Sequence, residues 1–405
     1  MSGIGIIDEY PWTDVYFDDD LSSGNNDGTT EGNAWQTVDA MIAGARNGHR
    51  VNIKKTSSSI TISGTKVFPA GTNGGPIWYR GYETTTGDGV DAVFSINDGG
   101  FVDTAQGPQI FSDLTFNGNS NSNKCVFVEG HVDTQTTFYD CTFTNNGAGP
   151  CVDARECAFI ACSFTNTGSF SSANYSAFVG SAVCVGCYFK ASGIVCDLSL
   201  SDDSEHILWF KNVIVSDSSE ARAGVDLALT LADGSYAAVL ESSVFGAGNA
   251  IYISDQNSAA EAAYLFSRNV IADCDTGFNH AGTVGTVEQQ AILNNAFGSM
   301  STGNYGSNFG DCVDVFTTIA LTGTPFSSNT TLALDNETNQ GALCRDAVKI
   351  GCLGAGGEFE VTAGDMGGVR HGSSNGIKPI SLEAYANLPP TEIGRPTITR
   401  TSELT

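Results

Sequence analysis

Five short runs each end on an acid: "FVEG" with Glu129, "CVDA" with Asp153, "VCDL" with Asp197, "GVDL" with Asp226 and "ISDQ" with Asp255. Set in register on neighbouring strands, these carboxylates form a stripe able to hold a cation or to accept hydrogen bonds from sugar hydroxyls. Stacked like charges repel, so such a stripe is costly without a cation against it. Asp also closes strands for a plainer reason, since its side chain bonds its own backbone in turns.

Other candidate chemistry is thinner. The segment "DDDLSSGNNDG" at 18–28 offers hard oxygen ligands but lacks the alternate-position spacing of a helix–loop–helix calcium site, so it reads as a solvated turn. The histidines, His49, His131, His206, His280 and His371, are scattered and suggest no triad. Of the 12 cysteines, only Cys184 and Cys187 form a C-x-x-C, and an offset of three places them on opposite faces of a strand. Buried structural thiols are the expectation, since free Cys is among the most buried residue types. Neither a metal nor a cofactor is expected.

Composition narrows the partners. Lys and Arg total 18 against 45 Asp and Glu, a formal charge of −27. Nucleic acid requires basic phosphate contacts, and no basic cluster exceeds the pair Lys54–Lys55, so nucleic acid is excluded as a partner and an anionic membrane with it. No run approaches the roughly 18 apolar residues of a membrane span. The N-terminus lacks a basic region followed by an apolar one, so no secretion signal is read there and synthesis in a cytoplasm is expected. Thiols in that compartment stay reduced.

The elements that position these residues come from a repeat. "SDLTFNGN", "DCTFTNNG", "ACSFTNTG", "VGCYFKAS", "FKNVIVSD", "ESSVFGAG", "SRNVIADC" and "LNNAFGSM" share one pattern. Its apolar anchors, Phe116, Phe143, Phe164, Phe189, Ile214, Phe245, Ile271 and Phe297, recur every 21 to 31 residues. Such self-similarity marks a solenoid or propeller, and a propeller blade needs about 40–45 residues. About 26 residues carrying three short strands fits an all-β, right-handed parallel β-helix.

Two places before each anchor stand Leu114, Cys141, Cys162, Cys187, Asn212, Ser243, Asn269 and Asn295. Residues two apart on a strand share a face, so this column points inward with the anchors. Coils about 4.8 Å apart then lay thiol over thiol and amide over amide, as a buried ladder. One position earlier, an outward column reads Asp113, Asp140, Ala161, Gly186, Lys211, Ser242, Arg268, Asn294. Glycoside hydrolysis needs two carboxyls about 5–9.5 Å apart, and only Asp113 and Asp140 are adjacent acids here. A lyase needs clustered calcium ligands and a basic residue to abstract a proton, and that group is not found.

The ends differ from the coils. "NAWQTVDAMIAGARNGHR" predicts a helix capping the first coil, started by an Asn33/Gln36 capping box and stopped by Gly48, with "HRVNIKK" as the first strand. The parts are an N-terminal arm (1–14), a lead-in segment and cap helix (15–55), β-helix coils (56–310), irregular last coils or closing segment (311–376) and an extended C-terminal arm (377–405). That last piece holds four of the ten prolines, which suits an extended chain.

The stretch "DVYFDDDLSSGNNDGTTEGNAWQTVDAMIAGARNGHRVNIKK" and the coils after it resemble pectate-lyase-like, right-handed parallel β-helix proteins over about residues 14–300. The late segment "GALCRDAVKIGCLGAGG" through "AGDMGGVRHG" resembles the closing segment of β-helix proteins often encoded by bacterial viruses. The fold hosts lyases, hydrolases and inert virion proteins alike. A durable solenoid with no secretion signal, no catalytic pair and termini that read as docking arms points to a non-enzymatic structural protein of a bacteriophage virion, decorating the capsid or associated with the tail, and the resemblance of the late segment favours that expectation. It would be a homotrimer whose terminal arms contact other virion proteins. The alternatives are a polysaccharide lyase or glycosidase of a viral spike acting on host surface glycan, and a glycan-binding module without catalysis.

Overall fold

The computed structural model describes residues 10–320 except 73–74, 106, 129–135, 169–175, 201–205, 217–222, 230–235, 257–262, 268, 273, 281–288, 299–300 and 306–314. Short alternating runs broken by Gly, Asn and Asp give strands too brief to form long hairpins. Each strand instead pairs in parallel with its counterpart one coil away. Three sheets result, and each full coil contributes one strand to each.

The first sheet stacks Thr65–Phe68, Phe101–Thr104, Val126–Val128 and the front of Val152–Ile160, and ends at Gly303–Tyr305. The second begins with Thr13–Phe17 and His49–Lys54 and passes through Ile77–Tyr82, Gln109–Ser112 and Thr136–Tyr139. It continues through the back of Val152–Ile160, Phe178–Val185, His206–Phe210 and Tyr236–Leu240. The third carries Leu114–Asn117, Thr142–Asn145, Ser163–Asn166, Tyr188–Ala191, Val213–Ser216 and Ser243–Phe245. This is an all-β parallel β-helix, as the repeat predicts. The proposed arms, 377–405 and most of 1–14, and the segment 321–376 lie outside the described residues.

A one-residue corner joins the second sheet to the third. Asp113, Asp140, Ala161, Gly186, Lys211 and Glu241 occupy it with φ between 48° and 65°. This left-handed conformation costs about 1–2 kcal/mol for a residue with a Cβ. Hydrogen bonds to the next coil offset that cost: Ala161 N–H donates to Val185 O at 2.9 Å, and Gly186 N–H to Phe210 O at 2.9 Å. The corner explains a difference from expectation. Cys184 and Cys187 do not lie on opposite faces, because Gly186 turns the chain between them and both thiols are buried.

Inside, aromatic rings stack coil on coil. Tyr79, Phe111, Phe138 and Phe159 form one stack on the second sheet, with centroids 4.8–5.0 Å apart. Phe94, Phe116, Phe143, Phe164 and Phe189 form another on the third sheet, closed by Trp209 at 4.5 Å from Phe189. The two stacks meet edge to face, for example Phe159 on Phe164 at 5.2 Å, the geometry that ring quadrupoles favour.

The anchor column is as expected except in one coil. Ile214 pairs with Val244, and Val244 with Ile271, so Val244 rather than Phe245 is the anchor there. The ladder slips with it: Ser242, not Ser243, occupies the column, and the corner residue is Glu241 rather than Ser242.

The cap helix is shorter than predicted, Val38–Gly44, and its N-cap is Thr37, whose hydroxyl accepts from Ala40 N–H at 3.1 Å. Asn33 instead ends a 3-10 turn, Glu31–Asn33, and its side chain accepts from Asn25 N–H. Trp35, Val38, Met41 and Ala45 are buried against the first coils. The strand His49–Lys54 is the second rather than the first, because Thr13–Phe17 already pairs beside it.

Candidate functional site

The inward ladder is continuous. Cys141, Cys162 and Cys187 are buried, and their thiols contact backbone carbonyls: Cys162 Sγ reaches Phe138 O at 3.5 Å and Cys187 Sγ reaches Phe159 O at 3.4 Å. Asn212 continues the column, its Oδ1 accepting from Cys187 N–H at 2.8 Å and its Nδ2 donating to Cys184 O at 3.1 Å. Ser242 N–H donates to Asn269 Oδ1, and Asn269 N–H to Asn295 Oδ1, both at 2.9 Å. The nine described cysteines are all buried. Burial pushes the Cys125 thiol up to about 12 and the Cys184 thiol up to about 11, so neither is a ready nucleophile.

A second amide ladder went unread in the sequence. Asn121, Asn145 and Asn166 are buried where the third sheet turns toward the first. Asn145 Oδ1 accepts from Asn121 N–H at 3.1 Å, while its Nδ2 donates to Gly149 O at 2.8 Å; Asn166 Nδ2 donates to Gly149 O at 2.9 Å. The signal was the Asn two places after Phe143 and Phe164, since strand register pairs Asn145 with Asn166.

The acidic runs are placed as follows. On the outer face of the first sheet the register reads Asp103, Phe127, Asp153, Val179, Asp197, Asp226, Tyr252. Asp197 and Asp226 are direct partners, whereas Val179 separates Asp153 from Asp197. Asp255 lies opposite Ala228, beyond a register shift, and Glu129 is outside the described residues. Asp153 accepts from Lys124 Nζ at 2.7 Å, and that ammonium also sits 3.8 Å from the Phe127 ring centroid. Burial raises the pKa of Asp197. Among the described residues no group of three or more His, Cys, Asp or Glu side chains gathers as a metal site.

In 18–28, Asp18 serves an ion pair and Asp27 a turn. Asp18 is buried against Lys54 Nζ at 3.0 Å, and Asp27 accepts from Thr29 N–H at 3.0 Å.

A tighter acidic group lies at the thin end of the corner column. Burial raises the Asp113 carboxyl to about 6, its Ser112 hydrogen bond opposes this, and the charges of Asp140 and Asp91 add to it. Burial also raises Asp140, with Asp91 contributing, and raises Asp91, whose Oδ2 accepts from Thr115 Oγ1 at 2.7 Å. Lys211 and Glu241, further along the column, form a buried pair at 3.7 Å.

Because Asp113 holds its proton more tightly when folded than unfolded, its ionisation opposes folding. The native state binds more protons between about pH 4 and 6, so stability falls as pH rises through that window. Asp113→Asn is therefore expected to raise the melting temperature at pH 7 by an amount equivalent to about 2 kcal/mol, and to change it little at pH 3.5. Thermal melts at the two pH values check this.

The outer face of the second sheet is of another kind. Tyr139, Ile160, Val185, Phe210 and Leu240 align in one column, and Ala158, Val183, Leu208 and Ala238 in the next. No charged residue stands in either column across these five strands. At the N-terminal end, Trp78, Ile110 and Tyr139 cluster with Trp12 and Ile160, and Arg80 lies 5.2 Å from the Trp78 ring centroid.

The chain matches no family model and no curated protein. Among solved structures it is similar to the crystal structure of pectate lyase Pel9A, at 16% identity and a TM-score of 0.57, covering 75% of this chain and 78% of that one. The fold is shared. At that identity the likeness extends to the parallel β-helix and not to the activity.

Proposed function

We propose that this chain is a non-enzymatic structural protein of a bacteriophage virion, a capsid-decorating or tail-associated β-helix made in the host cytoplasm. The observation that carries this reading is the pairing of an interior stacked coil on coil with an outer sheet face whose central columns, from Tyr139 to Leu240, carry no charged residue. The first makes a stiff rod, and the second suits lateral contact in an assembly. The terminal segments would dock on other virion proteins. Cosedimentation with particles assembled without this chain tests the reading. Saturable, stoichiometric binding is expected; none at any concentration overturns it.

A second reading is favoured by one feature. Asp113, held near pH 6 beside Asp140 and Asp91, has the raised pKa of a general acid in glycoside hydrolysis. On that reading the chain is a glycosidase or lyase of a viral spike acting on host surface glycan. New reducing or unsaturated ends, produced from host polysaccharide and lost in Asp113→Asn, would establish it. Binding of glycan without cleavage, weakened by changes at Asp197, would favour a binding module.

A further inference from the structure

We propose that Trp78 and Ser112 are positioning residues for Asp113: the indole N–H fixes the Ser112 hydroxyl, which engages one oxygen of the Asp113 carboxyl and leaves the exchangeable proton on the other. This rests on the second reading above, in which Asp113 is a general acid, and names what places its proton.

Trp78 and Ser112 stand on neighbouring strands of the second sheet, on the face opposite the stacked rings of Tyr79 and Phe111. Register sets Ser112 beside Arg80, so Trp78 reaches it on the diagonal. Trp78 Nε1 donates to Ser112 Oγ at 3.0 Å, and both residues are buried. The indole is itself held in place. Arg50 and Arg80 lie 5.6 and 5.2 Å from its ring centroid, and Trp12 meets it edge-on at 5.5 Å. Ser112 is the last residue before the left-handed corner, where it hydrogen-bonds the Asp113 carboxyl.

Donor and acceptor roles give the relay its direction. An indole N–H can only donate, so Ser112 Oγ accepts from Trp78 and the hydroxyl hydrogen is left to face the carboxyl. A hydrogen bond donated to a carboxylate favours its ionised form, and a buried site strengthens the effect. When Asp113 is protonated, the oxygen that accepts from Ser112 is the carbonyl oxygen, and the proton lies on the other. Burial is the largest influence on this carboxyl and raises its pKa; Ser112 is the next and opposes it. The charges of Asp140 and Asp91 then raise it and that of Arg80 lowers it, while Lys55 acts on Asp91. Gly89 flanks Asp113 from the loop above, since a Cβ there would stand 3.9 Å from Asp113 Oδ1.

Carbon-13 NMR titration of the aspartate carboxyls in the full chain, without substrate, tests the proposal. The Asp113 signal is assigned by its loss in Asp113→Asn, and its native midpoint is expected at about 6. Ser112→Ala should raise that midpoint to about 7, because a hydrogen bond to a charged group is lost. Ser112→Thr keeps the hydroxyl and should restore the native value. Trp78→Phe keeps a ring but frees the hydroxyl to turn away, and should raise the midpoint by about half a unit. A purely structural role would lower the melting temperature of these variants without moving the titration. An unmoved midpoint in Ser112→Ala or in Trp78→Phe overturns the proposal. Should Ser112→Ala fail to fold by circular dichroism, Trp78→Phe and Ser112→Thr decide. Glycan cleavage is read separately. A raised midpoint without new reducing or unsaturated ends keeps the relay and removes the second reading, whereas cleavage with an unmoved midpoint does the reverse.

Discussion

Phe164→Ala is expected to lower the unfolding free energy by about 4 kcal/mol, within the range for truncating a buried phenylalanine. Phe164 is fully buried in the middle of the third-sheet stack, 4.9 Å from Phe143 and 4.6 Å from Phe189. It also meets the edges of Phe159 at 5.2 Å and Phe178 at 5.7 Å. Alanine therefore leaves a cavity and removes two stacked and two edge contacts, each worth a fraction to about 1.5 kcal/mol beyond area. The neighbouring coils are hydrogen-bonded above and below, so they can collapse onto the cavity only partly. Guanidinium unfolding followed by far-ultraviolet circular dichroism measures the loss. Phe164→Leu should restore more than half of it. A loss below about 1 kcal/mol for the alanine variant would mean that the ring is not in a packed column.

Asn212→Ala has the next largest expected effect, for a different reason. In the ladder Asn212 follows the thiol-bearing coils, and its backbone N–H donates to Ser242 Oγ in the next coil at 3.1 Å. Its Oδ1 takes Cys187 N–H and its Nδ2 gives to Cys184 O, both at buried positions. Alanine leaves a buried donor and a buried acceptor without these partners, at about 1–3 kcal/mol each, for a total near 3 kcal/mol. Cys162→Ala, in the same column two coils earlier, should cost only about 1 kcal/mol, because a thiol is a weak donor and its contact to Phe138 O is 3.5 Å. Asn212→Asp should be worse than alanine at neutral pH, since an ionised carboxylate would be buried there. The same denaturant titration ranks the three variants. If the cysteine variant proves as costly as the asparagine one, the ladder is not held by its amides.

Much of this was legible in the residues because a solenoid writes its coil length into the chain. The phenylalanine spacing gave the coil, and the Cys/Asn column two places earlier gave the inward face. The pattern failed where it offered two equal choices. In "ESSVF", two serines precede two apolar residues, and only strand pairing selects Ser242 and Val244 over Ser243 and Phe245. The cap was misread because Asn33 and Thr37 are both good N-caps, and the tie was broken by the 3-10 turn that Asn33 ends.

The functional residues were harder to read than the core. An acid after an apolar run marks the end of a strand segment, whereas a stripe needs register across coils, and loops of varying length set that register. Hence Asp197 and Asp226 meet while Val179 intervenes before Asp153. The left-handed corner was likewise invisible, because Asp, Ala, Gly, Lys and Glu share no side-chain signature there. Backbone hydrogen bonds to the next coil fix that conformation, and these are not local in sequence.

Thiol alkylation of the native chain, resolved by peptide mass spectrometry across a denaturant series, tests the stacked-coil architecture most directly. The structure predicts that Cys141, Cys162 and Cys187 resist modification in the folded protein and become reactive together as the coils unfold. Modification of any of the three at the rate of a free thiol, without denaturant, would contradict it.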